Sequence, residues 1–109
     1  MFKIISNPEF IHEVKVMVPV DGGHEEQVFK ARFRVLSDDQ MEGYDTSTTE
    51  GLKDFLRLAW VGASDLVGEG KEPAEFNDQV KEQMLGWTFC RIALLRTYTA
   101  AMVKARAGN

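Results

Sequence analysis

Residues 10–36 read FIHEVKVMVPVDGGHEEQVFKARFRVL, two alternating runs around a turn-forming centre. In the first run Val14, Val16, Val18 and Val20 share one parity, and Glu13, Lys15 and Met17 share the other. In the second, Phe29, Ala31, Phe33 and Val35 oppose Lys30, Arg32 and Arg34. Successive side chains of an extended strand point to opposite faces, so this period of two predicts two half-buried strands. Between them, DGGHEEQ supplies Asp and two glycines, which tolerate the positive backbone angles of a turn. The stretch therefore predicts an antiparallel hairpin with an apolar inner face and a charged outer one. Pro19 has no N–H to donate, which places its strand at a sheet edge. Phe2 to Ile5 is expected to add a short third strand.

Beyond the hairpin the period changes. Ser37 with Gln40 reads as a capping box that starts a short helical turn, ended by Gly43. Ser47 with Glu50 reads as a second box and opens a helix. In that helix Leu52, Phe55, Leu56, Ala59 and Trp60 form an apolar stripe, and Asp54 lies within pairing reach of Arg57. Residues 62–76, GASDLVGEGKEPAEF, carry three glycines and one proline without a period, and read as a flexible connection. Asn77 caps a short helix, NDQVKEQML, and Gly86 interrupts it. A long helix then runs from Trp87 to about Arg106, with Gly108 as its stop. The expectation is one α+β domain over residues 1–109. Its N-terminal antiparallel β-hairpin or small sheet (1–36) is followed by three to four helices packed on one face. These occupy a helical region (37–61) and C-terminal helices (77–107), on either side of the connection at 62–76.

The long helix has two apolar stripes. At 100° per residue, Phe89, Ile92, Ala93, Ala100 and Val103 gather on one side. Cys90, Leu94, Tyr98 and Ala101 occupy another, with Leu95 and Met102 in between. A small domain covers one such stripe, so the helix is either the fully buried centre of a monomer or a surface for another chain. In the second case Trp87, Leu94, Tyr98 and Met102 are the expected anchors for a partner or for self-association. Leu94→Asp is then expected to abolish binding and leave the domain folded. Trp60 reads as core, whereas Trp87 follows a helix break, and exposed aromatic residues of this kind favour binding hot spots. Arg96 falls among apolar neighbours, so its stem is expected to be buried and its guanidinium to find an acid in this chain or on another subunit.

Composition narrows the function classes. The chain has 109 residues, 44% apolar and 28% charged, ordinary for a globular domain. A net charge of −4, with thirteen dispersed Lys and Arg against seventeen acids, argues against nucleic acid. The terminal helix is too rich in Arg and Thr to cross a membrane. Cys90 is the single cysteine, which excludes an internal disulfide and a multi-cysteine metal site; among Phe89, Ile92 and Ala93 it reads as a buried, inert thiol. MFKIISNPEF has neither the apolar core nor the cleavage site of a signal peptide, so a reducing cytoplasm is expected.

No constellation for catalysis emerges. His24 with Asp21, Glu25 and Glu26 reads as a solvated acidic turn, because a Gly-Gly turn fixes no ligand geometry. His12 reads as a polar residue near a strand start. Asp38 and Asp39 suit a helix N-terminus through its dipole. Gly68-Glu69-Gly70-Lys71 lacks the strand and the hydroxyl residue of a phosphate loop, and no nucleophile elbow is present. No enzymatic activity, cofactor or metal is expected. Lys15, Lys30, Arg32 and Arg34 make a basic row on the outer sheet face. It reads either as a solvated face or as a docking surface for an acidic protein segment.

The order VKVMVPVDGGHEEQVFKARFRVL, TTEGLKDFLRLAW, a Gly-rich connection and RIALLRTYTAAMVKARAGN resembles the tail assembly chaperones of long-tailed (siphovirus-type) bacteriophages. The similarity covers nearly the whole chain and rests on length, element order and wording. It implies a non-enzymatic phage or prophage protein of the host cytoplasm that is absent from the mature virion. Its implied partners are the tape-measure protein, whose helices it keeps soluble, and the major tail (tube) protein, which polymerises around them. The family is often made in two lengths through a ribosomal frameshift; by that resemblance this chain is the short form, with Gly108-Asn109 near the slip point. The alternatives are a structural head–tail connector or tail-completion protein, or a small bacterial protein-binding regulator.

Overall fold

The computed structural model describes residues 1–107, with side chains through residue 103; the expected stop at Gly108 and slip point at Gly108-Asn109 lie outside the described residues. Strands β1 (Glu9–Val20) and β2 (Gly23–Arg34) pair antiparallel from Glu9 opposite Arg34 to Val20 opposite Gly23. Asp21 and Gly22 alone make the turn, with Gly22 at φ 78°, a conformation that glycine adopts without a steric penalty. The expected seven-residue turn is thus corrected. His24, Glu25, Glu26 and Gln27 are strand residues opposite Pro19, Val18, Met17 and Val16. Their polarity reflects a hairpin tip where most residues are exposed, rather than a loop.

After Arg34 the chain makes α1 (Asp38–Met41), where Ser37 and Gln40 form the expected capping box. Helix α2 (Thr49–Ala59) is capped by Thr48, whose Oγ1 accepts from the Gly51 N–H at 3.0 Å, and not by Ser47. Ser47 instead donates its hydroxyl and its N–H to Asp45, holding that carboxyl below its ordinary range. The shift of one residue has a steric side, since a Cβ at Gly51 would run into the Asp45 carbonyl oxygen.

Trp60 ends α2 and opens β3 (Trp60–Ser64), which lies beside β2, with Lys30 opposite Ser64, and gives the order β1-β2-β3. The third strand therefore comes from here. Phe2 to Ile5 form no strand, and Phe2 is 92% exposed. Residues 62–76 are likewise not an irregular connection. They complete β3 and build a small hairpin, β4 (Leu66–Val67) against β5 (Pro73–Ala74). Asn77 then caps α3 (Asp78–Leu85), Gly86 closes it, and α4 (Thr88–Ala107) follows.

Helices α2 and α4 cover the inner sheet face, as expected of an α+β domain. Tyr98 of α4 stands at the centre of a cluster with Phe10, Phe33 and Phe55, with ring centroids 5.3–6.2 Å apart. Trp60 joins Phe29 and Phe76 in a second cluster and donates its indole N–H to the Gly62 carbonyl at 2.9 Å. Phe33, Phe55 and Trp60 are fully enclosed. Burying each stabilises the fold by roughly 1.5–3 kcal/mol or more.

Candidate protein-binding surfaces

Helix α4 starts where the Trp87 carbonyl accepts from the N–H groups of Cys90 and Arg91, at 3.1 and 3.0 Å. Of its two apolar stripes, the one through Cys90, Leu94 and Tyr98, joined by Ala93, lies in the core, and Leu94 is 0% exposed. The other stays in solvent: Ile92 is 45% exposed, and Ala100 and Val103 are exposed beside it. The helix is therefore not the fully buried centre of the domain.

The expected anchors divide accordingly. Trp87 and Met102 reach the surface, but Leu94 and Tyr98 are core residues out of a partner's reach. The Tyr98 hydroxyl accepts the Leu36 N–H at 3.0 Å, a bond across 62 positions of sequence. Leu94→Asp would thus place a charge in the core rather than probe a partner. On the wet stripe, Ile92 and Val103 replace them, and Phe89, half-buried, stacks on Trp87 with centroids 5.8 Å apart and planes 12° apart.

Arg96 is exposed, which corrects the expectation of a buried stem. It lies on the solvent stripe, and sequence spacing does not reveal which stripe is covered. The buried guanidinium belongs to Arg91, which donates to the Leu85 carbonyl at 2.8 Å and to Thr88 Oγ1 at 3.2 Å. It thereby serves an orphan carbonyl at the end of α3, where a cation also favours the helix dipole. Its place in sequence carries the signal: the first turn of a helix separated from the preceding one by only two residues. Beside it, Cys90 is buried as expected, and that burial pushes its thiol up to about 12, which keeps it neutral.

The basic row is partly neutralised. Arg32 pairs with Glu9 at 3.5 Å, Lys30 stands opposite Glu13, and Lys15 stands opposite Val28. Arg34, at the end of β2, is half-buried with its Nε enclosed and without a partner among the described residues, and its charge reaches Lys81 of α3. Lys15, Lys30 and Arg32 remain exposed, together with Ile11, Met17 and Val28. On the helical side, Arg57 joins Asp54 and Glu82, each at 2.8 Å, and so ties α2 to α3. The hydrogen bonds with Glu82 raise the Arg57 pKa and lower that of Glu82. Lys81 donates to the Arg57 carbonyl at 2.8 Å, and burial draws its pKa down.

An open groove of about 730 Å³ runs between β3 and the β4–β5 hairpin, lined by residues 62–67 and 73–76. Asp65 and Glu75 are its titratable lining residues, and Ser64 supplies its one side-chain hydroxyl. Among the described residues no three His, Cys, Asp or Glu side chains gather as a metal site, and no helix is long and apolar enough to cross a membrane. Comparison with protein-family models, curated proteins and solved structures finds no match to this chain.

Proposed function

We propose that this domain is a tail assembly chaperone of a long-tailed bacteriophage, a cytoplasmic protein that holds helices of the tape-measure protein while the tail-tube protein polymerises around them. The observation that supports this reading is the uncovered stripe of α4. Phe89, Ile92 and Val103, flanked by Trp87 and Met102, present an apolar surface at helical spacing. Such a stripe suits an amphipathic helix laid along it, and the flexible thioether of Met102 suits an adaptable contact. Arg96, on the same stripe, adds a cation for an acid on the bound helix.

The test is co-expression with a tape-measure protein of a long-tailed bacteriophage, followed by co-purification and by mass spectrometry of finished virions. Capture by the wild type, loss with Ile92→Asp and Val103→Asp, and absence from virions support the reading. Stoichiometric presence in virions would overturn it in favour of a structural tail or connector subunit, and so would no capture by a folded wild type.

A further inference from the structure

Strand β1 has β2 as its only strand neighbour among the described residues, so no strand pairs with the other edge of its twelve residues. An edge of that length, roughly 40 Å, is a template for another strand. One bond fixes which backbone groups face outward. The Val35 N–H donates to the Pro8 carbonyl at 2.9 Å, continuing the ladder one step beyond Glu9 and Arg34. Bonded and non-bonded pairs alternate in an antiparallel ladder, so Phe10, His12, Val14, Val16 and Val18 bond to β2. Ile11, Glu13, Lys15 and Met17 turn their N–H and C=O groups away from it. The Glu13 carbonyl bears this out, since the His12 ring reaches it at 2.7 Å. Pro19, without an N–H, also occupies an outward position.

We propose that a second copy of this chain pairs with β1, antiparallel and in register about Val14, joining two three-stranded sheets into one of six. In this register Glu13 faces Lys15 of the second copy and Ile11 faces its Met17, and the two-fold symmetry repeats each pair. Ile11 and Met17, 56% and 46% exposed, thereby cover each other on the outer face. On the inner side Phe10 meets Val18, both half-buried in one copy, and Val14 meets its own counterpart. Neighbouring registers lose this match: centring on Glu13 or on Lys15 sets like charges opposite each other. A slip by half a step sets the charged face of one strand against the apolar face of the other. On pairing, the Lys15 N–H of the second copy takes the Glu13 carbonyl from the His12 ring. The proposal stands without the chaperone reading.

The experiment is sedimentation of the wild type, Glu13→Lys, Lys15→Glu, their equimolar mixture and the double variant, over a concentration series. Both positions are exposed, so circular dichroism is expected to be unchanged in every variant. Each single reversal creates two like-charge pairs and weakens dimerisation by about ten- to a hundredfold. The mixture and the double variant restore opposite pairs and recover the dimer. In the wild type, hydrogen exchange at the Ile11, Glu13, Lys15 and Met17 amides slows as protein concentration rises. A wild type that stays monomeric overturns the proposal. So does a dimer that neither single reversal weakens, or one that the mixture fails to rescue.

Discussion

The two faces of α4 are similar in apolar content and opposite in fate. Cys90, Leu94 and Tyr98 meet the inner sheet face and α2, whereas Ile92, Ala100 and Val103 meet solvent. Hydrophobicity alone did not assign them. What separates the faces is their polar groups: Tyr98 brings an acceptor that satisfies Leu36, the residue leading out of β2, whereas the wet face carries the charged Arg96. Apolar area supplies the attraction, and polar groups on the two faces favour one rotation over the other.

The comparison breaks most readily at Leu94. Leu94→Ala is expected to lower unfolding free energy by about 2–5 kcal/mol in urea titrations. Tyr98→Phe keeps the ring and leaves the Leu36 N–H buried without an acceptor, for a loss of about 1–3 kcal/mol by the same titration. On the wet face, Ile92→Asp and Val103→Asp are expected to stay within about 0.5 kcal/mol of wild type, so a larger loss would show that this stripe is covered within the monomer. The smallest effect sits on neither face, in the Arg57–Glu82 pair that joins α2 to α3. Arg57 holds the Glu82 pKa below its unfolded value, so on acidification the unfolded chain takes up its proton first. The pair's stabilisation is complete above the ordinary glutamate range and is lost as pH falls through that range and then through the lowered folded value. Both side chains are well exposed, which keeps the effect small. Glu82→Gln should flatten that part of the acid limb, measured as urea midpoints against pH.

The hairpin was legible because one face of each strand is buried, which writes a period of two into the residues. The turn is not legible where that pressure stops: at the tip both faces are wet, and HEEQ carries no alternation. Strand β3 stayed hidden for a related reason. Trp60 fits the helical stripe of Leu52, Phe55, Leu56 and Ala59 as well as it fits a strand, and Gly62, Ala63 and Ser64 are too small to show a period. Both stripes of α4 could be read, but not the choice between them, because that choice depends on Leu36 and Phe33, distant in sequence and adjacent in space. The partner of Arg91 is a main-chain carbonyl, which no residue type announces; only the helix junction beside it points there.

The bond between Tyr98 and Leu36 also bears on the order of events during synthesis. Ribosomes add about 5–20 residues per second, so several seconds separate the emergence of the hairpin from that of the helix that covers it. Over that interval Phe10, Val14 and Phe33 line a greasy face that α4 has yet to cover, because Tyr98 and Leu94 are not yet made. Contacts between residues so far apart in the chain also form slowly once both are present. A nascent chain of this protein thus carries that face uncovered until the α4 residues that close it emerge.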